Sequence, residues 1–520
     1  MVAGSLARRK RAPNTQSAQA QAGTWRLAPD VAAQAQGLIA SPFEHLPEAQ
    51  ALFLQLSLTG GAWLRELTAV VPITDATGKV TPSSAIAFTA TGLTTMGLPP
   101  DQTPGFLPEF VEGMRQLDRQ RRLGDEGDGA DDRTTVIKGG PLWSGNAPDP
   151  LAPDPSQRAR PTPITVHALL LLYEADDAAL QALTGRAKAA LAGSGVAIAH
   201  ELRLSLHADP TIRDMPREHF GFADGISQPV PFGAGVIVDD AGKDYPRDPL
   251  HCVAAGDLLL GQINAHGEPA PGPLAPDTAA AKAPRDGGAH YGMRDLGLNG
   301  SYLVVRELKQ NVAAFWNSMD TAAKEIARDG VDPEWVAERI VGRRLNGDPL
   351  APPAALPAPG QGDPCNDFRY ADHDPNGLTC PLGSHIRRCN PRDGLAPTPN
   401  DAAGLLQARN NHRIMRRGRK YGPPIADRRV EDGENRGLLF MCINTDLARQ
   451  FELVQQTWML NNSFAVLDDE TDPLLGPPGP MTIPHAPLRL CPQVKSYVLL
   501  AGGEYFFLPS LPALTYLAAL

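Results

Sequence analysis

No stretch of the 520-residue chain approaches 18 consecutive apolar residues, the longest being of the Ala168-to-Tyr173 kind, so no membrane-spanning helix is expected. Cysteine is scarce. The 6 cysteines have no regular spacing, which excludes a disulfide framework for a chain of this length and fits a reducing compartment. Positive charge is also short: 48 Lys and Arg against 58 Asp and Glu leave a net charge of −10, a field that repels nucleic acid and anionic membrane. Neither is expected as a partner. The N-terminus lacks the apolar segment of an export signal, since the basic cluster Arg8, Arg9, Lys10 and Arg11 runs into a polar Gln/Ala/Ser stretch. A cytoplasmic location is the expectation.

What the chain has in quantity is Pro (51) and Gly (50), about a fifth of its residues, which predicts many turns and long loops. With 42% hydrophobic and 20% charged residues the chain is far from the composition of disordered proteins, and its length allows one to three domains.

Residues 1 to about 45 lack periodicity and are read as a flexible arm. Strand-length and helical patterns then alternate: Ala51 to Leu58, Ala62 to Val71 and Ala85 to Thr91 spell β-α-β, and Ile164 to Glu174, Asp176 to Ala192 and Val196 to Leu206 spell it again. That order matches a ferredoxin-like sheet, so the expected class is α+β with antiparallel sheets. A sparser second set comprises strands at Asp257 to Gln262, Ser301 to Leu308, Gly437 to Asn444 and Glu504 to Leu508. Its helices are expected over 311–328, 333–344 and 446–461. The predicted division is an arm (1–45), an N-terminal ferredoxin-like domain (46–235) and a C-terminal one (236–520). Long loops are expected at 124–133, 268–284, 351–364 and 476–489.

Four segments could carry chemistry. In His219-Phe220-Gly221-Phe222-Ala223-Asp224-Gly225 two glycines bracket one carboxylate; alone this reads first as a plain Asp-Gly turn. Cys380 to Arg392 (CPLGSHIRRCNPR) sets His385 among arginines, suited to an imidazole metal ligand with cations for the acidic groups of a cofactor. Cys380 or Cys389 as a haem thiolate, or both with Cys365 and His385 around zinc, rank lower because the spacing lacks the tight cysteine pairs of zinc sites. The basic run Arg413, Arg416, Arg417, Arg419 and Lys420 reads as a solvated loop or an anion site. Gly437 to Asn444 reads as a buried strand that could also wall a pocket.

Taken together, the Gly221-x-x-Asp224-Gly225 motif, CPLGSHIRRCNPR, IMRRG and GLLF resemble the dye-decolourising peroxidase family of haem enzymes. Supporting segments such as GDLLLGQIN and GGEYFFLPSLPAL run in family order over roughly residues 50 to 520. The resemblance implies two ferredoxin-like domains, with one haem b per chain held mainly by the C-terminal one. It implies His385 as proximal iron ligand, Asp224 as distal acid-base and Arg416 as distal cation. Leu438 and Phe440 would line the distal pocket, Gly221 and Gly225 would let the backbone approach the haem, and Arg387 and Arg392 would meet its propionates. The implied activity reduces hydrogen peroxide to water and oxidises bulky aromatic or dye-like reductants through a ferryl intermediate. Oligomeric state is left open.

The same resemblance leaves Asp468, Asp469 and Asp472 as candidates to bond His385, and Tyr421 or Trp458 as surface radical sites. A loop from Asp393 to Asn411 is longer than in compact members, and Gly418 stands where some subfamilies carry Asn. A carboxylate base, with a reference pKa of about 3.9, predicts turnover best in acid. The alternative is a protein that binds or hands on haem with little turnover; Asp224 and Arg416 argue against it, because storage needs neither a proton shuttle nor a distal cation.

Overall fold

A computed structural model describes residues 27–57, 59–125, 142–147, 159–209, 215–232, 237–238, 244–245, 251–277, 293–351, 366, 368–485 and 488–520. Residues 126–133 of the expected acidic loop, parts of the other Pro-rich loops, Cys365 and the expected domain joint at 235/236 lie outside them.

Eight antiparallel strands carry the fold: β1 (Glu48–Leu56), β2 (Ser83–Phe88), β3 (Ala168–Glu174), β4 (Val196–Ser205), β5 (Ser301–Gln310), β6 (Arg419–Tyr421), β7 (Gly437–Asn444) and β8 (Val498–Leu508). They follow the order β5-β7-β6-β4-β1-β3-β2-β8, and β8 pairs again with β5, so the sheet closes on itself. Two narrow seams complete the ring. Strands β4 and β6 meet at Ser205–Lys420 and Leu204–Tyr421, and β2 meets β8 at Phe88–Phe507. The α+β expectation of helices on an antiparallel sheet holds at this level.

Alternation along the strands divides the core in two. Ala51, Phe53, Leu169, Leu171, Leu439 and Phe506 point inward to one cluster. Leu52, Leu54, Leu170, Leu172, Cys442 and Phe507 point outward to another, covered by the helices α1 (Ala62–Val70) and α2 (Asp177–Leu191). Helix α2 begins where expected because Asp176 caps it, its side chain accepting from Ala179 N. Outside the C-terminal strands lie α3 (Val312–Ile326), capped by Asn311, and α4 (Pro333–Val341), capped by Asp332, with a third cluster around Phe315, Trp316 and Ile340.

Three expectations are corrected. Residues from Leu27 to Leu46 are no flexible arm: Leu27, Ala35, Leu38, Ile39, Phe43 and Leu46 are buried in the inner cluster. The side chain of Gln36 bonds Ile86 O, Pro509 O and Ile86 N at 2.8 to 2.9 Å. Residues Asp257 to Gln262 form no strand. Gly256 and Gly261 (φ +76°) fold that leucine run into tight turns, and a Cβ on Gly256 would meet Gln262 O at 2.3 Å. The expected helix at 446–461 is wound as the π-helical stretches Ala448–Glu452 and Val454–Met459, with Glu452 N bonded to Leu447 O and Leu460 N to Gln455 O. Its wider turn keeps Gln450, Phe451 and Glu452 all buried.

Candidate active site

The wall of the site is the outer face of β7. Leu438 and Phe440 stand partly buried on that face, opposite Leu308 and Arg306 of β5, while Leu439 and Met441 between them turn inward. Arg416 pairs with Cys442 of β7 and so shares the outer face. Arg417 and Arg419 turn the other way: Arg417 donates to Leu38 O and Ile39 O at 2.7 and 2.8 Å, and Arg419 to Leu46 O, Pro42 O and Phe43 O at 2.7 to 2.9 Å. The basic run is therefore neither a solvated loop nor one anion site. One arginine faces the pocket, and two hold the buried N-terminal segment.

The loop that carries Asp224 comes from the other half of the chain. Arg217 and Ala223 form a bridge, Glu218 N bonds Phe222 O at 3.1 Å, and Asp224 N bonds Pro216 O at 2.9 Å, making a miniature hairpin that presents Asp224. Gly221 (φ +102°) and Gly225 (φ +85°) occupy left-handed positions, and a Cβ on Gly225 would meet nothing within 4 Å. Asp224 Oδ1 accepts from Gly225 N at 2.7 Å and from Arg416 Nη1 at 3.3 Å, and its Oδ2 has no partner among the described contacts. Arg416 Nη2 donates to Ile226 O at 2.6 Å, and its backbone N–H to Gln228 Oε1 at 2.9 Å. The structure thus brings Asp224 and Arg416 together across 192 residues, each with 36% of its side chain exposed.

The expected metal ligand stands on α5 (His385–Cys389), docked on α4 by Ser384 Oγ, which donates to Arg339 O at 2.5 Å. Of the three candidate carboxylates it is Asp472 that bonds His385, with Nδ1–H donating to Oδ2 at 2.9 Å. The other oxygen of Asp472 accepts from Leu474 N and Leu475 N, both at 2.9 Å. Burial opposes charge on the His385 ring, but Asp472 and Cys389 outweigh it and raise the pKa well above the usual value. Enclosed as it is, His385 keeps 25% of its side chain accessible, and with Nδ1 engaged it is Nε2 that is left to a metal. Cys389 Sγ lies 3.6 Å from that Nε2, one turn along the helix, whereas Cys380 is buried under Tyr370.

The arginines separate. Arg387 is 2% exposed, and its two terminal nitrogens bond Asp374 Oδ2, Asp374 O and Cys380 O at 2.7 to 3.0 Å, with the guanidinium over the Tyr370 ring. The propionate expectation for Arg387 is corrected accordingly. Arg392 lies over Phe368 and bonds Asn366 and Phe368 O. Arg413, missed as a site residue, is buried and donates to Ser227 O at 2.9 Å; burial first, then Arg392 and Arg416, bring its pKa down to about 9. Arg392 and Arg416 thus lie near enough to Arg413 for their charges to oppose its own. These arginines, an enclosed histidine whose Nε2 meets only the Cys389 thiol among the described contacts, and an apolar wall at Leu438 and Phe440 fit a haem.

Two further expectations fail. Tyr421 and Trp458 are 3% and 4% exposed, so neither is a surface site for a radical. The stretch from Asp393 to Asn411 is no plain loop, since Ala402–Asn410 is helical.

Among solved structures the chain is similar to a dye-decolorizing peroxidase in complex with 2,6-dimethoxyphenol, with 25% identity, a TM-score of 0.66 and coverage of 95% of this chain and 100% of that one. A DyP-type peroxidase from Anabaena sp. shares the fold at 22% identity, a TM-score of 0.66 and coverage of 94% and 95%. The fold is that of the DyP-type peroxidases. No family model matches the chain. A multifunctional dye peroxidase of Amycolatopsis sp. (strain ATCC 39116 / 75iv2) is 33% identical over 365 residues, covering 67% of this chain and 70% of the relative. A dye-decolorizing peroxidase of Mycena epipterygia is 30% identical over 349 residues, or 58% of this chain and 57% of the relative. The chain belongs to the dye-decolourising peroxidase family, oxidoreductases that use hydrogen peroxide, and membership implies haem.

Proposed function

We propose that the chain is a haem b peroxidase, one haem per chain, that reduces hydrogen peroxide and oxidises bulky aromatic reductants, dyes among them. The observation that carries this reading is the Asp224–Arg416 pair, 3.3 Å apart with one carboxylate oxygen unpartnered, on the pocket side of β7. Two fused ferredoxin-like units are part of the proposal; the strand orders β4-β1-β3-β2 and β8-β5-β7-β6 support it, each repeating the pattern 4-1-3-2 within its half.

Haem, when bound, supplies the redox-active iron. His385 Nε2 would hold that iron, while Nδ1–H donation to Asp472 fixes the ring's tautomer and raises its basicity. Asp224 Oδ2 takes the proton from one peroxide oxygen and returns it to the departing oxygen, so a single group serves both transfers. Arg416, held in place by Ile226 O and Gln228 beside Asp224, would stabilise the negative charge developing on that oxygen. Leu438 and Phe440 keep water from the pocket, Gly221 and Gly225 leave room for the approach of the haem, and Arg392 with Arg413 would meet the propionates.

Rapid mixing of the haem-loaded protein with one equivalent of hydrogen peroxide, followed at the Soret band, tests the reading. The parent is expected to react at least 100-fold faster than Asp224→Asn or Arg416→Leu, with turnover fastest in mild acid. A Soret band indifferent to peroxide leaves a haem-binding protein, and an alkaline optimum removes Asp224 as the base.

A further inference from the structure

The hairpin that presents Asp224 is closed by a second carboxylate, Glu218, whose described partners are two amides of the hairpin and Gln310. Glu218 Oε2 accepts from Phe220 N and Oε1 from Phe222 N, both at 2.7 Å, and Oε2 also accepts from Gln310 Nε2 at 2.7 Å. Where the chain reverses, no strand supplies acceptors for those two amides, and a buried amide left without one is costly. Glu218 fills both vacancies with one side chain, and its own backbone N–H and C=O bond Phe222 O and Gly221 N.

We infer that Glu218 is a positioning residue for Asp224: its carboxylate sets the shape of the 218–222 reversal, and the reversal sets where Asp224 meets Arg416. The lever is short. Residues 216 and 217 pair with 224 and 223, so the end tied by Glu218 and the end bearing Asp224 belong to one hairpin. Gln310, the last residue of β5, joins that end to the barrel, and the outside of the loop is docked by Trp316 Nε1, which donates to Phe220 O at 3.0 Å, and by Phe220 against Phe315. Burial raises the Glu218 pKa to about 7, and the nearby Asp224 carboxylate adds to the rise. A displacement of about 1 Å at a reacting group is enough to cost on the order of 100-fold in rate.

The inference rests on the reading of Asp224 as the distal base, and a double-mutant cycle separates the two. The readouts are the rate of reaction with peroxide and the association rate of cyanide with the ferric haem, since hydrogen cyanide must give up its proton to a distal base as it binds. Glu218→Gln is expected to slow both at least tenfold, to leave the KM for an aromatic reductant within twofold, and to have no further effect when Asp224 is already Asn. Unchanged rates in Glu218→Gln overturn the inference. So does an equal slowing in the Asp224→Asn background, which reduces Glu218 to a general structural role. Parent-like rates in Asp224→Asn alone overturn instead the reading on which the inference stands. Should Glu218→Gln fail to bind haem, Gln310→Leu removes one donor to the carboxylate and leaves the loop's own bonds; a smaller slowing confined to the Asp224 background supports the inference, and none overturns it.

Discussion

Asp472 is 1% exposed and fully engaged, with one oxygen on His385 and the other on two backbone amides, so its position is fixed before any metal arrives. Asp472→Ala is expected to weaken haem binding about 10- to 100-fold in a Soret-monitored titration, with Asp468→Ala and Asp469→Ala at parent affinity. Equal affinities for all three would remove Asp472 from the site. His219, between Glu218 and the loop, donates to Tyr421 O at 2.8 Å and is held down to about 4, by burial first and then by Lys420 and Arg436. Its folded pKa lies below the unfolded value of 6.5, so the unfolded chain binds more protons. The contribution to stability is present above pH 6.5 and is lost as pH falls toward 4, by at most about 1.4 kcal/mol per unit. Glu218 slopes the other way, from 4.5 up to about 7, and the neighbours offset each other where the windows overlap. His219→Gln should therefore gain stability on the parent as pH drops from 6.5 to 4.5, read from urea midpoints; a pH-independent difference would refute the assignment. The two pairings the structure makes, Asp224 with Arg416 and His385 with Asp472, join residues that stood out in the sequence only through the combination of motifs, since an Asp-Gly turn or a single His is ordinary by itself. Glu218 and Arg413 did not stand out, since a Glu that bonds amides and an Arg that bonds a carbonyl look ordinary in a sequence.

At the scale of elements, strands read well because one side faces a core and the other a second core, giving apolar runs such as ALLLLY that few helices of that length show. The leucine run at 258–260 has the same look and fails as a strand because its flanking glycines permit a turn that leucine alone would not reveal. The N-terminal segment was misread for a related reason: it has no period, and what orders it is arginine donors nearly 380 residues away. Replacing one of those donors tests that account. Arg417→Met leaves two buried carbonyls without a charged donor and is expected to lower unfolding free energy by about 2–4 kcal/mol in a denaturant titration. A midpoint equal to the parent's would mean that the segment holds itself.

For the molecule as a whole, the two β-α-β sets read in the first half correspond to β1 through β4 with α1 and α2. Closure of the sheet was not legible, because it depends on seams as small as a single residue pair at Phe88–Phe507. That closure also sets an order of events during synthesis. Strands β1 to β4 are complete by residue 205, yet the partners of their two outer members, β6 and β8, are the third from last and the last of the eight strands to be made. A growing chain therefore carries two bare sheet edges from residue 205 until residue 421 and one of them until residue 508, the condition under which strands recruit strangers. The interval between residues 205 and 508 is where a chaperone would matter, and the finished ring, with no main edge left, would have little further use for one.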